Sequence, residues 1–356
     1  MARAIRLADK GRYSTHPNPC VGCVLVRQGE IVGEGWHVRA GKEHAEANAL
    51  LEAGDGARGA TAYVTLEPCS FHGRTPSCAQ ALIDAGIKRA VVAVEDPDGR
   101  NAGKGLQMLR DAGVEVISPV MQDSALGLIV GHVRRYTEGR PYVRLKLAMT
   151  LDGKTALANG ESKWITSAEA RADVQRLRAA SAAIVTGVQT VIEDDPELTV
   201  RAEFLDVEYK EEVLAIDRPV YVLDSGLRVP GGAKLLRRAS TVLVCVEDRA
   251  HDVPGVEVLG LPGASGQIDL PVLLAEMARR EHSEVLFECG ATLAGSLVAA
   301  RLVDELVIYV APKLIGGGGR SLLNLPEIDR MSGLVDLTID DVRKVGADFR
   351  ITARLA

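Results

Sequence analysis

Residues 65–78 read TLEPCSFHGRTPSC, and their interpretation decides the fold of the first half of the chain. The β-rich run ATAYVTLEPC predicts a strand that stops at Pro68, since proline cannot donate to a sheet ladder. SCAQALIDAG predicts a short helix with Gly86 at its C-terminal cap. The segment is therefore a strand, a turn and a helix, with Cys69 at the strand end and Cys78 in the first helical turn. Unpaired N–H groups and the helix dipole favour a thiolate there, so Cys78 is expected to be a stabilised thiolate.

Upstream, His44-Ala45-Glu46 opens a second predicted helix, HAEANALLEAG, closed by Gly54. Catalytic zinc takes three protein ligands and keeps one position open for water. Two helix starts can converge on one ion. Glu46 would then sit beside the open position, taking a proton from water and delivering it to a ring nitrogen and a leaving amine. The candidate ligands are His44 with some of Cys20, Cys23, Cys69 and Cys78. An H-x-E followed by P-C-x-x-C is the mark of zinc-dependent nucleobase deamination. Here the literal P-C-x-x-C, Pro19 to Cys23, precedes the H-A-E, whereas eight residues separate Cys69 from Cys78. A literal reading also offers Cys69 with His72, so spacing alone leaves these sets open.

The chain has 356 residues, 47% hydrophobic and 25% charged, with a net charge of −6. That balance suits a soluble protein of two domains. It gives no basic field for nucleic acid, and 4% aromatic residues leave little material for stacking bases. No run approaches the ~18 apolar residues of a membrane span. The opening MARAIRLADKGRYS reads as an amphipathic helix, not a leader. Six cysteines in this length suggest reduced thiols in the cytoplasm.

Helical and strand patterns alternate throughout, which defines an α/β architecture. CVLVRQGEIVGEGW reads as a hairpin turning at Gln28-Gly29. Gly139-Arg140-Pro141 marks a boundary, giving domains at 1–140 and 141–356. The second domain again alternates, from YVRLKLAM through EVLFECG to ELVIYVAP, with an exposed insertion at RAEFLDVEYKEEVLAID. Thr166 with Glu169 forms a capping box for the helix AEARADVQRLRAAS. No G-x-G-x-x-G occurs in this half. In EVLFECGATLAGSLV a strand runs into a turn at Gly290 and a helix beginning near Thr292–Leu293, which aims N–H groups at a phosphate.

HPNPCVGCVLV, HAE, TLEPCSFHGRTPSC, LKLAMTLDGKTA, ESKWITS and VDELVIYVAPKLIG together resemble the bifunctional deaminase–reductases of riboflavin biosynthesis, in order and over nearly the whole chain. The resemblance implies a cytidine-deaminase-like three-layer domain followed by a dihydrofolate-reductase-like domain. It implies one Zn2+ on His44, Cys69 and Cys78, with Glu46 as proton shuttle. The substrate would be a small pyrimidine ribose-phosphate, deaminated by hydrolysis and then reduced by NADPH at the ribosyl chain. Cys23 then reads as a core residue and Cys20 as incidental. Asn18, whose amide offers donor and acceptor, is expected at the base. His72 would lie in the substrate loop. In the reductase, Lys146 and Asp194 are expected to manage sugar and proton. Ser162, Arg178, Leu198, Arg201 and Glu288 match substrate positions. Ala148, Trp164, Thr190, Asp194, Ser225 and Gly290, Ala291, Thr292, Leu293, Ala294, Gly295 and Ser296 match the cofactor side, with Arg228 a candidate near the NADPH 2′-phosphate. A homo-oligomer without nucleic-acid or membrane partners is expected. Two other readings remain: a deaminase carrying an inactive reductase-like domain, and a zinc-stabilised RNA-binding module. A structural zinc site would need four ligands and no poised Glu46.

Overall fold

The computed structural model describes residues 1–71, 77–249 and 253–356. The chain divides into two compact units, Met1–Arg140 with Glu211–Val213, and Pro141–Lys210 with Leu214–Ala356. His72 and the rest of 72–76 lie outside the described residues.

The first unit runs α1 (Ala2–Asp9), β1 (Gly22–Arg27), β2 (Glu30–Trp36), α2 (Ala45–Ala53), β3 (Thr61–Val64), α3 (Cys78–Asp84), β4 (Arg89–Val92), α4 (Lys104–Asp111), β5 (Glu115–Ile117), α5 (Gln122–Leu126) and α6 (Val130–Glu138). Its sheet has the order β2-β1-β3-β4-β5. The β1–β2 hairpin turns through Gln28 and Gly29 at φ 55° and 87°, the left-handed pair that matches strand twist. β1 also pairs antiparallel with β3, while β3, β4 and β5 are parallel. Cys23 is fully buried between Gly35 and Val64.

Strand β3 ends at Val64, four residues before the expected stop at Pro68. Backbone pairing nevertheless continues, Thr65 N–H to the Gly22 carbonyl at 3.1 Å and Glu67 N–H to the Val94 carbonyl at 2.8 Å. The buried Glu67 carboxylate accepts the N–H groups of Asp96, Gly103, Gly105 and Leu106 at 2.8–3.2 Å, capping α4 from outside. A Cβ on Gly105 would stand 1.9 Å from the Pro68 carbonyl, so α4 abuts the turn that carries Cys69.

Helix α2 lies directly on β2. A Cβ on Gly33 would meet the Ala49 carbonyl at 2.3 Å, and one on Gly35 the Ala45 carbonyl at 2.2 Å. Alternation gives both glycines to the same face of β2, so the helix settles against bare backbone.

The remaining elements are β6 (Tyr142–Thr150), β7 (Lys154–Ala156), α7 (Ala168–Ala179), β8 (Ala183–Gly187), α8 (Val188–Asp194), α9 (Lys210–Leu214), β9 (Val220–Leu223), β10 (Thr241–Val246), β11 (Glu257–Leu261), β12 (Gly263–Ala264), β13 (Gln267–Ile268), α10 (Leu270–Arg279), β14 (Glu284–Glu288), α11 (Ala291–Ala299), β15 (Glu305–Ala311), β16 (Arg320–Ser321), β17 (Leu337–Val345) and β18 (Asp348–Leu355). All belong to the second unit except α9, whose Glu211–Val213 fall in the first. The second unit is built on one large sheet. Its main sheet has the order β11-β10-β9-β8-β14-β6-β15-β18-β17. All pairs are parallel except those made by β18. The central strands are near-continuous apolar runs because helices cover both faces.

Two expectations need correction. The cap of α7 is Ser167, whose hydroxyl accepts the Ala170 N–H at 3.2 Å; the Thr166 carbonyl accepts instead from the Arg171 guanidinium. The insertion around 202–217 is not simply exposed: it forms a turn at Ala202–Phe204 and α9, with Leu205 and Val213 buried.

Gly35→Ala is expected to lower stability by about 2–3 kcal/mol, the cost of overpacking a tight contact, as measured by urea denaturation.

Candidate metal centre and reductase cleft

In the first unit, His44 is the N-cap of α2, yet its ring makes no capping bond and is free to turn inward. Its Nδ1 lies 3.3 Å from Cys78 Sγ and 3.8 Å from Cys69 Sγ, and the three donor atoms lie within 4.8 Å of one another. Tetrahedral zinc with its usual bond lengths would hold nitrogen and sulfur about 3.5 Å apart, so this group fits the ion. Cys20 and Cys23 stand apart from it. Cys20 contacts the Thr15 hydroxyl at 3.5 Å, and Cys23 belongs to the core under α2.

The first N–H of α3, that of Cys78 itself, donates to Cys69 Sγ at 3.2 Å. Hydrogen bonds from Cys78 and His44, against the pull of burial, bring the Cys69 thiol down to about 4. Cys78, whose thiol donates to Cys69 in a buried setting, is pushed up instead. Without a metal the pair therefore shares one proton. The Cys69 sulfur also raises the His44 pKa.

Glu46, in the first turn of α2, is only 3% exposed, and burial raises its carboxyl above the ordinary range. A buried carboxyl whose hold on its proton is strengthened, beside a cluster of zinc donors, suits a proton shuttle.

His37 carried no motif in the sequence, yet it organises the same site. Its Nδ1 donates to the Glu43 carbonyl at 3.0 Å, which leaves Nε2 as acceptor for the Asn18 amide, also at 3.0 Å. Asn18 is thereby fixed with its nitrogen toward His37. The rings of His37 and His44 meet edge to face at 5.2 Å. Asn101, likewise unread in the sequence, accepts the Ser70 N–H at 2.9 Å and steadies the Cys69 turn.

The second unit holds a cleft of about 1170 Å³. Lys146 lies beside Glu288 in the parallel pairing of β6 and β14. Burial depresses the Lys146 pKa, partly offset by the Glu288 carboxylate. Burial would raise Glu288, but Arg178 and Lys146 outweigh it and hold its carboxyl below the usual range. Arg178 grips Glu288 with two bonds of 2.6 and 3.1 Å and donates to the Thr199 carbonyl. These two expected substrate contacts are thus first partners of each other. Asp194, Ser162, Leu198 and Arg201 line the same cleft, as do Ala148, Trp164, Thr190, Ser225 and Arg228. Leu198 does so at φ 49°, with its side chain in the core.

Of the 290–296 turn, Gly290, Ala291, Thr292, Leu293 and Ser296 face the cleft. Ala294 and Gly295 do not. Ala294 is fully buried in the sheet-side core, and a Cβ on Gly295 would lie 2.1 Å from the Asn324 carbonyl. The helical period turns these two away from the ligand side. Helix α11 starts one residue earlier than expected, with Gly290 as a cap that offers no side chain, leaving its first N–H groups toward the cleft.

Residues 1–94 match the cytidine and deoxycytidylate deaminase zinc-binding region, and residues 141–351 match the RibD C-terminal domain. Fold and sites together define a two-domain enzyme, a zinc-binding deaminase followed by a reductase. The chain belongs to the RibD family of riboflavin biosynthesis proteins. It is 47% identical to riboflavin biosynthesis protein RibD of Haemophilus influenzae over 99% of this chain and 95% of that protein. The structure of Acinetobacter baumannii RibD superposes with a TM-score of 0.93 at 41% identity, covering 100% of this chain and 97% of that one. A Thermotoga maritima structure described as a diaminohydroxyphosphoribosylaminopyrimidine deaminase/5-amino-6-(5-phosphoribosylamino)uracil reductase does so at 0.87 and 30% identity, covering 100% and 97%. The protein is a bifunctional deaminase and reductase of riboflavin biosynthesis.

The neutral His37 sets a pH dependence. Burial lowers its pKa from 6.5 to about 4, so the unfolded chain takes up a proton in that window that the folded one refuses. The associated stability is complete above pH 6.5, falls by up to about 3 kcal/mol as pH drops toward 4, and then levels off. Urea denaturation across pH 7 to 4 is expected to show this slope, and His37→Gln to flatten it.

Proposed function

We propose that the first unit hydrolyses the 2-amino group of 2,5-diamino-6-(5-phosphoribosylamino)pyrimidin-4(3H)-one, and that the second reduces the product with NADPH to 5-amino-6-(5-phosphoribitylamino)uracil. The observation that carries the reading is the convergence of His44, Cys69 and Cys78 beside the buried Glu46. His44, Cys69 and Cys78 hold zinc, which when bound supplies Lewis acidity that makes hydroxide available at neutral pH. Glu46 takes one proton from water and hands it to the ring nitrogen, then takes the remaining hydroxyl proton and hands it to the departing amine. Water and the C–NH2 group thereby become a carbonyl oxygen and ammonia. Asn18, its amide turned by His37, presents Oδ1 to an N–H on the pyrimidine edge.

In the second unit, the cleft has room for a dinucleotide and a sugar phosphate together. The open N-terminus of α11 accepts a phosphate of NADPH, and Thr190, Ser225, Trp164 and Ala148 line its place. NADPH when bound is the hydride source. Lys146, in a dry setting that favours release of its proton, and Asp194 orient the ring-opened ribosylamine. Hydride added at C1 and a proton at the adjoining nitrogen give the ribityl chain. Arg178 with Glu288, Arg201, Ser162 and Leu198 form the substrate side.

The enzyme acts as a homo-oligomer in the cytoplasm, without a nucleic-acid or membrane partner. Strand β17 is an edge strand with Leu337, Ile339 and Val342 exposed, a surface that a second copy would cover. All six cysteines are free, as a reducing compartment requires. No helix among the described residues is long and apolar enough to cross a membrane.

One incubation with the diaminopyrimidine phosphate, following ammonia and NADPH absorbance together, tests the scheme; absence of either signal refutes the corresponding half. Glu46→Gln is expected to retain zinc, by metal analysis, while ammonia release falls by about 10²–10⁴-fold. Lys146→Ala is expected to slow NADPH oxidation with ammonia release spared; parallel loss in both assays would argue against two separate sites.

A further inference from the structure

The cofactor reading leaves one charge unassigned. NADPH differs from NADH by a phosphate on the adenosine ribose, and a cleft that selects it must place a cation there. Ligands of parallel sheets bind beyond the carboxyl ends of the strands. At those ends β9 and β10 lie side by side, running on into Asp224-Ser225-Gly226 and into the turn Glu247–Arg249.

Two guanidinium groups flank this place. A Cβ on Gly226 would lie 3.4 Å from Arg249 Nη1 and 3.8 Å from Arg228 Cγ. Arg228 lines the cleft together with Ser225, and its side chain is 61% exposed. Its Nε edge faces the Asp224 carboxylate at 3.7 Å. Asp224 is fully buried. Its Oδ2 accepts the Val229 N–H at 2.8 Å, closing the turn, while Oδ1 has no hydrogen-bond partner. This matters for cofactor choice. An acidic side chain at a strand end can take a ribose 2′-hydroxyl and so select the unphosphorylated dinucleotide. Asp224 is spent inside the turn and shielded from the cleft, and the group exposed in its place is an arginine. Fork-shaped guanidinium suits a phosphate monoester.

We propose that Arg228, supported by Arg249, recognises the 2′-phosphate of the dinucleotide and sets the preference for the phosphorylated cofactor. The inference rests on the reading that the second unit binds NADPH. Buried Asp224 acts as a positioning residue: its charge holds the Nε edge of Arg228 and leaves the outer nitrogens for the phosphate. Among the charged side chains along this cleft, Arg178 pairs with Glu288, Lys234 with Asp195 and Arg320 with Glu193.

The test is calorimetric binding to the full-length protein, without substrate, of NADPH and NADH, and of 2′,5′-ADP, 5′-AMP and ribose 5-phosphate as fragments. Arg228→Ala is expected to weaken NADPH and 2′,5′-ADP by about 10- to 100-fold, as for loss of a charged hydrogen-bonding partner, and NADH and 5′-AMP by less than about 2-fold. Arg249→Ala should give a smaller loss of the same kind, and Arg228→Lys should recover part of it. Both arginines are on the surface, and an unchanged melting temperature verifies folding. An unaltered NADPH-to-NADH ratio in the double variant would overturn the assignment while leaving the cofactor reading intact. A selective loss of ribose 5-phosphate would overturn it too, by moving Arg228 to the substrate side. A wild-type protein that binds neither dinucleotide would instead refute the cofactor reading, and this inference with it.

Discussion

The first unit depends on how closely α2 approaches β2. Only glycine at 33 and 35 lets the carbonyls of Ala49 and Ala45 stand where side chains would otherwise be. That contact fixes the height and rotation of α2 over the sheet, and so places His44 at the helix start and Glu46 in its first turn on the buried side. The opposing donors come from a segment equally constrained. Glu67 and Asn101 tie the Cys69 turn to α4 and its leading loop, and Gly105 lets that helix touch the Pro68 carbonyl. Two rigid seats, each defined by a missing side chain, bring a nitrogen and two sulfurs to metal-binding distance.

Both units solve the same electrostatic problem in different ways. A buried charge is costly unless paired. Around the metal centre hydrogen bonds from Cys78 and His44 lower the Cys69 thiol, while burial raises the Glu46 carboxyl. In the reductase cleft the charges compensate as a chain, Arg178 to Glu288 to Lys146. Such a chain leaves the lysine as the group whose charge is least secure, which is the property that proton transfer to a sugar needs.

The sequence made the catalytic skeleton legible where chemistry is tied to local pattern. The H-A-E at a helix start, the cysteine after Pro68 and the cysteine opening α3 could all be placed, since each sits at a helix or strand end that propensity and punctuation mark. The literal P-C-x-x-C at Pro19–Cys23 was correctly read as core, because Cys23 alternates inward on β1. The misreadings came from groups whose role depends on a partner far along the chain. The first N–H of α3 points across the turn to Cys69 Sγ, a contact that no local pattern records. The Glu67 carboxylate finds its partners, the N–H groups of Asp96, Gly103, Gly105 and Leu106, 29 to 39 residues along the chain.

The sequence by itself therefore determined the order of elements and the two-domain division, because these follow from residue type and short-range spacing; among the candidate metal donors spacing left several sets open, and the resemblance chose His44, Cys69 and Cys78. Tertiary structure decided which carboxylate answers Lys146, how His37 turns Asn18, and that Asp224 is buried while Arg228 is exposed. Each of these is settled by a distance between residues that the chain separates, or by desolvation that no local window records. Protonation and polarity are properties of the enclosed site, and the site exists only once the sheet and its glycine-seated helix have closed around it.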